Sequence, residues 1–228
     1  HCQGQGDQRA WLYRGGLPGS QLLLQCQVTG VGGEKPPVDQ LARFRAALER
    51  FPKRPASLAA SAGALLGQRY LFDMIRPGIA LYGGNPRASG PNPMRCAVTV
   101  TAPIVQLRRV DRGESVGYGA SFTADGPSVL ATAAIGYADG IMRSLSNTGE
   151  ARIGGFTARF AGRVSMDLTT LDVTGADDGT VTRGTLAEFL GPHVTLESVA
   201  ARAGTANYEI LTGLGPRLRR VYKGAEGI

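Results

Sequence analysis

The first clear periodicity along the chain is helical. Leu41, Phe44, Leu48 and Phe51 recur at steps of three and four residues, with charged side chains between them, which is the pattern of an amphipathic helix. Pro52 is predicted to end this helix, because a proline lacks the N–H that a helix interior requires.

Short apolar runs follow this helix. Residues 56–60 are predicted to form a short strand, which leads into a turn and a helical turn that begin at Ser61. Residues 72–75 are predicted to form a second short strand, which runs into the sequence RPG at residues 76–78. Alternation of helix and strand is typical of a βα architecture, and this segment is long enough for only part of a barrel or an open sheet.

Beyond the Gly-, Pro- and Asn-rich residues 83–93, the period of the apolar positions changes to two. Alternating runs separated by glycine-containing turns predict a mostly β domain. A late helix is also predicted, with Thr195 as its N-cap, residues 196–202 as its body and Gly204 as its stop. The predicted strands are residues 97–106, 128–135, 151–153, 156–160 and 168–173.

These patterns divide the chain into three segments. Residues 1–37 are Gln- and Gly-rich and are predicted to be an irregular leader, in which only residues 22–28 resemble a strand. Residues 38–90 form the α/β segment and residues 91–228 form the mostly β domain, with the change of pattern near Asn85. The predicted fold class is therefore α/β plus all-β.

Composition excludes several classes of protein. Glycine and proline contribute 33 and 13 of the 228 residues, yet the glycines have no three-residue period, which excludes collagen. No apolar run reaches the roughly 18 residues that span a membrane, so no membrane partner is expected. The chain begins at His1 without a charged-then-apolar segment, which predicts that it has no signal peptide and that it is a fragment or a trimmed chain.

The charge balance is basic, with 25 Lys and Arg residues against 18 Asp and Glu residues and a net charge of +7. Nucleic-acid binding is only the minor alternative, because the arginines are scattered and aromatic residues make up 7% of the chain. Biased codon usage toward arginine is a simpler explanation. Three cysteines without a metal-ligand spacing, and only two histidines, predict no metal site and a reducing, cytoplasmic setting.

Two local motifs have the chemistry of a ligand site. At the RPG sequence, Gly78 has no Cβ to block an anion from the backbone N–H groups, and Ser61 could add a hydroxyl to the same phosphate. The sequence VGYGASF places Tyr118 between two glycines, and a tyrosine acts as an acid or base when a nearby cation lowers its pKa. Taken alone, each motif is more often a structural turn or a sheet edge.

Two further motifs place a tyrosine and carboxylates in turns. IGYADG contains Tyr137 with Arg143 close behind it, and AGRVSMD places Asp167 beside Met166. A carboxylate at the start of a strand can orient a ligand, or it can simply cap a turn. Taken singly, neither motif predicts a function.

Taken together and in order, five motifs resemble those of the alanine racemases, which are pyridoxal-phosphate enzymes that interconvert L- and D-alanine. The resemblance runs from Val38 to Tyr222, about four-fifths of the chain. It implies the C-terminal remnant of a pyridoxal-phosphate TIM-type barrel, followed by a mostly β C-terminal domain. It also implies a cytoplasmic homodimer, in which each active site combines the barrel of one subunit with the β domain of the other. The motifs are RPGIALYGGNP, VGYGASF, IGYADG, AGRVSMD and GTANYEILTGLGPR.

The resemblance implies a cofactor site in the α/β segment. Arg76 matches the arginine that hydrogen-bonds the pyridine nitrogen of pyridoxal phosphate. Because a guanidinium is always charged, it keeps that nitrogen unprotonated and makes the ring a weaker electron sink, which suits a racemase. Ser61, Gly78 and Ile79 match ligands of the cofactor phosphate.

The resemblance also implies a catalytic and substrate side in the β domain. Tyr118 matches the catalytic tyrosine, which exchanges the α-proton on one face of the substrate in a two-base mechanism. Tyr137 matches a tyrosine at the place where substrate enters the partner's site. Met166 and Asp167 match residues that line the pocket for the substrate carboxylate, and alanine is the implied substrate.

The chain departs from the family pattern at the Schiff-base lysine that anchors the cofactor. In the family that lysine lies early in the barrel, on a strand followed by a Lys-Ala-(Asn/Asp)-Ala-Tyr-Gly motif, and none of Lys35, Lys53 and Lys223 has this context. The histidine that tunes the tyrosine and the arginine of the carboxylate pocket also lack counterparts, and Ala60 stands where the family has asparagine. The expectation is a racemase fragment that is inactive alone, and the alternative is an inactive racemase-derived binding or structural module or a pseudogene product.

Overall fold

The chain divides into two compact units, His1–Arg95 and Cys96–Ile228. A computed structural model describes residues 11–13, 23–25, 38–53, 55–87 and 89–224 of the 228-residue chain. No helix within these ranges is long and apolar enough to cross a membrane.

The first unit is built on a short sheet. β1 (Trp11–Tyr13) lies antiparallel to β2 (Leu23–Gln25), and β2 lies parallel to β3 (Ala56–Ser57). The connection from β2 to β3 includes α1 (Val38–Glu49), so these three elements form a βαβ unit with parallel strands. β2 falls within residues 22–28, whereas β1 is not predicted by the pattern, and the rest of the leader lies outside the described residues.

The apolar stripe of α1 packs on the sheet, but it is shorter than predicted. The N–H of Phe51 bonds to the carbonyl of Leu48, three residues back, at 3.2 Å, and this tighter turn ends the helix. Phe51 therefore lies beyond the helix and is 36% exposed. The buried side chains of this core are Leu41, Phe44, Ala56, Leu58, Ala59 and Tyr70.

The strand predicted at residues 72–75 is wrong. These residues form a turn in which Phe72 has a φ of 50°, and only the next residue, Arg76, makes a single bridge to Ala60. The Phe72 ring packs edge-on against Phe44, with ring centres 4.9 Å apart. Phe72 therefore packs on the core beneath α1 from a turn rather than from a strand.

The strand predicted at residues 56–60 is also shorter in the structure, where β3 covers only Ala56–Ser57. The helical turn predicted at Ser61 is confirmed as α2 (Ser61–Ala64). Two 3₁₀ helices follow, Gln68–Tyr70 and Ile79–Tyr82, and the second begins directly after the RPG sequence.

The second unit is a closed six-stranded antiparallel barrel. The strands in chain order are β4 (Val100–Val110), β5 (Ser115–Val116), β6 (Phe122–Thr123), β7 (Ser128–Ala133), β8 (Glu150–Ile153), β9 (Phe156–Phe160), β10 (Thr169–Asp172) and β11 (Leu186–Leu190). The order around the barrel is β10, β7, β4, β11, β8 and β9, while β5 and β6 form a separate hairpin. The fully buried interior is small and branched: Ile104, Ala131, Ala133, Ile153, Ala158 and Leu171.

Four of the five strands predicted for this domain agree closely with β7, β8, β9 and β10. β4 begins and ends later than its prediction, and β11 is not predicted at all. Both strands carry a register shift, between Ile104 and Gln106 in β4 and between Glu188 and Leu190 in β11. Such a shift breaks the period-two alternation on which the prediction depends.

The late helix is confirmed as α3 (Leu196–Ala203). Thr195 is its N-cap and accepts the Ser198 N–H on its side chain, while Gly204 ends the helix with a φ of 70°. A further short helix, α4 (Asn207–Thr212), follows without being predicted.

Candidate active-site residues

In the first unit, Ser61 lies at the start of α2 and is 6% exposed. Its Oγ accepts the backbone N–H of Gly78 at 2.8 Å and of Ala80 at 3.3 Å. The hydroxyl hydrogen of Ser61 is not donated to any residue in the described ranges. The structure therefore brings Ser61 together with Gly78 and with Ile79, which opens the adjoining 3₁₀ helix.

The backbone of Arg76 bridges to Ala60, next to Ser61, but its side chain reaches back toward β3. Its backbone N–H bonds to the carbonyl of Ala59 at 2.8 Å. Its guanidinium Nη1 donates to the carbonyl of Ser57 at 3.0 Å and to the Ser57 hydroxyl, and Nη2 donates to the carbonyl of Leu58 at 3.4 Å. The charged head is therefore held at β3, upstream of Ser61 along the chain.

In the second unit, Tyr118 projects from the loop between β5 and β6. It opens the 3₁₀ helix Tyr118–Ala120 and is 74% exposed. Gly117 and Gly119 on either side have φ angles of 74° and 70°, so both glycines adopt the left-handed backbone that favours this residue. The guanidinium of Arg163 lies against Gly119, where an added Cβ would be 3.0 Å from Nη1.

Tyr137 and Met166 lie on two loops that are joined backbone to backbone. The N–H of Tyr137 bonds to the carbonyl of Ser165 at 3.0 Å, and the N–H of Ala138 bonds to the carbonyl of Met166 at 3.0 Å. The loops approach so closely at Gly136 that an added Cβ would lie 2.3 Å from the Ser165 oxygen. Tyr137 and Met166 are about half exposed, at 48% and 51%.

Arg217 ties Asp167 to the same loops. Asp139 is buried, its Oδ2 accepts the Gly136 N–H at 3.0 Å, and its Oδ1 lies 3.1 Å from Arg217 Nε. Arg217 Nη1 donates to Asp167 Oδ1 at 2.7 Å. The hydrogen bond with Asp167 raises the pKa of Arg217, a shift that desolvation opposes and the charges of the two carboxylates reinforce. We name Asp139, Arg217 and Asp167 the carboxylate–arginine cluster.

The cluster carries two negative charges and one positive charge, so it does not by itself attract an anion. The N–H groups of Met166 and Asp167 donate to no other residue among those the structure describes. Backbone N–H groups of this kind can bind a carboxylate without a cationic side chain.

Sequence reasoning missed two residues that organise these loops. Arg217 belongs to the GTANYEILTGLGPR motif, but its partners lie far away along the chain, so no local spacing indicates the pairing. Asn147 bonds to the loops of Tyr118 and Gly162, and its only local signal is an asparagine next to Thr148 and Gly149 in a turn.

The described residues of each unit match one family. The family model described as "Alanine racemase, C-terminal domain" matches residues 97–222, and the one described as "Alanine racemase, N-terminal domain" matches residues 32–86. The first of these alone covers more than half of the chain.

Individual relatives agree. The chain is 52% identical over 183 residues to a protein from Agrobacterium fabrum named "Alanine racemase, catabolic", and 48% identical over 196 residues to an alanine racemase from Brucella canis. These alignments cover 80% of this chain in both cases, and 47% and 50% of the two relatives. The chain therefore spans about half the length of the curated relatives it matches.

Solved structures lead to the same family. An alanine racemase from Bartonella henselae, crystallised with covalently bound pyridoxal phosphate, is 40% identical with a TM-score of 0.82, covering 88% of this chain and 56% of that one. A biosynthetic alanine racemase from Pseudomonas aeruginosa is 33% identical with a TM-score of 0.81, covering 89% and 57%. The two units are part of the N-terminal barrel and the mostly β C-terminal domain of that fold, and the chain belongs to the alanine racemase family.

Proposed function

We propose that this chain is the C-terminal part of a pyridoxal-phosphate-dependent alanine racemase, which interconverts L- and D-alanine. The observation that carries the proposal is the cradle in the first unit, where the buried Ser61 hydroxyl accepts the Gly78 N–H two residues after Arg76, which itself bridges to Ala60. We propose further that the intact enzyme works as a homodimer in the bacterial cytoplasm and supplies D-alanine for peptidoglycan.

The donor groups of the first unit fit pyridoxal phosphate. Ser61 has a hydroxyl hydrogen to donate to a phosphate while its Oγ accepts the Gly78 N–H, and Ile79 opens the adjoining 3₁₀ helix, so these three residues would lie together at the phosphate. Arg76 supplies a permanently charged donor for the pyridine nitrogen. When bound, the cofactor supplies an electron sink that acidifies the α-hydrogen of an amino acid.

Tyr118 would hold and transfer the proton at its phenol oxygen. The ring is largely exposed, and the glycines on either side of it have a left-handed backbone. The Arg163 guanidinium lies against Gly119 on the same loop. These features support Tyr118 as the acid or base on one face of the substrate.

The loops of Tyr137, Met166 and Asp167 would bind and orient alanine. The N–H groups of Met166 and Asp167, which have no acceptor among the described residues, can donate to the substrate carboxylate, while Arg217 holds the Asp167 carboxylate aside. Tyr137 is exposed beside them and would line the approach to the site. In a homodimer these loops would serve the partner's cofactor, as the family resemblance implies.

A second candidate, a racemase-derived module without activity of its own, is favoured by the lysines. Lys53 and Lys223 are exposed and lack the family context of a cofactor lysine, and Lys35 lies outside the described residues. Without a covalent anchor, the chain alone is expected to form no D-alanine from L-alanine and pyridoxal phosphate above the cofactor-only control. Racemisation together with a borohydride-sensitive absorbance band would contradict this expectation.

The proposal is tested by complementation in trans. The full chain is co-expressed with the Agrobacterium racemase in which the tyrosine that aligns with Tyr118 is replaced by Phe. If the chain contributes a competent β domain, racemase activity returns, and the Tyr118→Phe variant of the chain gives none. Absence of activity with a demonstrated complex of the two chains would contradict the proposed role of Tyr118 and favour the inactive module.

A further inference from the structure

We infer that Asn147 is a positioning residue for Tyr118, an inference that rests on the proton-transfer role proposed for Tyr118. Asn147 follows the 3₁₀ helix Arg143–Leu145 and contacts two other loops through one side-chain amide. Its Oδ1 accepts the Gly162 N–H at 2.6 Å, and its Nδ2 donates to the carbonyl of Ser121 at 3.0 Å. Ser121 ends the loop that carries Tyr118, and Gly162 belongs to the AGRVSMD loop.

The backbone of Asn147 is held in place for this contact. Its φ is 61°, a left-handed conformation in which asparagine is enriched among non-glycine residues. Its N–H also bonds to the carbonyl of Gly162 at 3.3 Å, so Asn147 and Gly162 are joined by two hydrogen bonds. This pair is a fixed base from which the amide nitrogen reaches Ser121.

The loop of Tyr118 has little support of its own. Its internal hydrogen bond, from the Ala120 N–H to the Gly117 carbonyl, is long at 3.4 Å, and Ala120 has a φ of 46°. The β5–β6 pairing closes the base of the loop, but the phenol itself is mostly in solvent. The direction of the Tyr118 ring therefore depends on where the Ser121 end of the loop is held.

Backbone packing transmits the position of Gly162 to the other end of the same loop. An added Cβ on Gly162 would lie 2.9 Å from the carbonyl of Val116, and one on Gly117 would lie 3.5 Å from the N atom of Arg163. Asn147 thus connects to the loop from both sides, at Ser121 directly and at Gly117 through Gly162.

Two substitutions test the side-chain contacts of Asn147, and the first of them isolates the contact with Ser121. Asn147→Asp keeps an oxygen to accept the Gly162 N–H but removes the donor to Ser121. Asn147→Gly removes the whole side chain, while glycine tolerates the left-handed backbone and the N–H bond to Gly162 is kept.

Two matched controls perturb neighbouring groups without breaking the Ser121 contact. Ser146→Ala removes the acceptor of the Val164 N–H, a 3.1 Å bond to the AGRVSMD loop, together with the 2.6 Å bond that the Ser146 hydroxyl donates to the carbonyl of Arg143. Ser121→Ala removes a buried hydroxyl that has no partner in the described part of the chain and keeps the carbonyl.

The first measurement is ¹⁹F NMR of the full chain labelled with 3-fluorotyrosine, with the Tyr118 line assigned from Tyr118→Phe. Asn147→Asp and Asn147→Gly are expected to shift or broaden the Tyr118 line and to leave the other tyrosine lines in place. Ser146→Ala and Ser121→Ala are expected to leave the Tyr118 line unchanged. An unmoved Tyr118 line in both Asn147 variants overturns the inference, as does a collapse of all lines in both, because Asn147 would then be a general stability residue.

The second measurement uses the complementation in trans. Asn147→Asp is expected to lower kcat about 10- to 100-fold with the KM for alanine unchanged, because a misplacement of about 1 Å affects proton transfer and not binding. A wild-type kcat would overturn the inference. If the unsubstituted chain restores no activity, the proposed function fails by itself, and the NMR comparison still decides whether Asn147 positions Tyr118.

Discussion

At the scale of single residues, the effect of a buried polar atom on stability depends on whether it has a hydrogen-bond partner. Tyr70 is fully buried in the core under α1, and its hydroxyl has no hydrogen-bond partner in the described part of the chain. By contrast, the buried carboxylate of Asp139 has both a backbone donor and Arg217. Removal of the Tyr70 hydroxyl is therefore expected to stabilise the protein, whereas removal of the Asp139 carboxylate is expected to destabilise it.

We expect Tyr70→Phe to stabilise the first unit by about 1 kcal/mol, because it removes a desolvated hydroxyl that gains no hydrogen bond in return. Urea unfolding followed by circular dichroism measures the change. Tyr82→Phe is the control, since Tyr82 is 53% exposed and the loss of its hydroxyl leaves the free energy of unfolding unchanged. A less stable Tyr70→Phe protein would mean that the hydroxyl has a partner such as a bound water.

Glu188 predicts a pH dependence. Desolvation raises the pKa of its carboxyl, but hydrogen bonds from the His193 side chain and from the His193 and Val194 N–H groups outweigh it, and the pKa is lowered. A depressed pKa contributes stability above the unfolded-state value and loses it as the pH falls through the folded-state value. Acidification should therefore remove this contribution below about pH 4.5.

The Glu188→Gln variant tests the direction of this pH dependence. It is expected to lower the free energy of unfolding by about 1 to 2 kcal/mol at pH 7, because the hydrogen bonds lose their charged acceptor. The difference from wild type is expected to shrink as the pH falls below about 4.5 and through the folded-state pKa, because the wild-type carboxyl then becomes neutral as well. Urea unfolding at a series of pH values measures it, and a pH-independent difference would contradict the assignment.

At the scale of elements, local signals predict local structure. α3 is predicted well because its N-cap, Thr195, and its stop, Gly204, lie directly next to the helix in the sequence. The strand at residues 72–75 is predicted wrongly because an apolar run does not determine the backbone shape: Phe72 packs on the core from a turn, and Met74 and Ile75 are 43% and 41% exposed.

Long-range pairing is the part that sequence patterns cannot supply. Motif order indicated which loops carry Tyr118, Tyr137 and Asp167, yet no spacing indicates that Arg217 joins two of them. Asn147 is hidden for the same reason, since its partners come from two other loops. The contacts that hold the candidate site together are therefore tertiary contacts. The side chains proposed to face a ligand can, by contrast, be identified from their own local motifs.

The close backbone contact between the IGYADG and AGRVSMD loops predicts how a substitution at Gly136 affects stability. Gly136→Ala would place a Cβ 2.3 Å from the Ser165 oxygen and 2.4 Å from the Met166 oxygen, although the φ of −149° suits alanine. We expect a loss of more than about 2 kcal/mol of stability, because rigid backbone must move to admit the methyl group. Gly126→Ala is the control, with no atom within 4 Å of its Cβ, and it is expected to be neutral or slightly stabilising. Equal thermal midpoints for the two variants would contradict the close approach.

At the scale of the whole molecule, the two units differ in whether their sheets are closed. The second unit closes its sheet into a barrel, so no edge of that sheet is left unpaired. Among the described residues, the first unit has an open three-stranded sheet. Both units have large exposed apolar side chains, and those of the first unit are Phe51, Leu65, Leu66, Met74, Ile75, Leu81 and Tyr82.

This contrast predicts that the second unit folds alone. Residues 96–228, expressed separately, are expected to unfold in one cooperative transition at the midpoint that the same unit shows within the full chain, because its core is complete. Residues 1–95 are expected to aggregate or stay unfolded, because exposed apolar side chains and open strand edges favour association.

Calorimetry and gel filtration of both pieces and of the full chain measure these outcomes. Gly136→Ala, introduced into residues 96–228 and into the full chain, serves as the internal control, since it must lower the same transition by the same amount in both. If residues 96–228 unfold without cooperativity, or if the substitution acts on a different transition in the full chain, the barrel depends on the first unit for its stability.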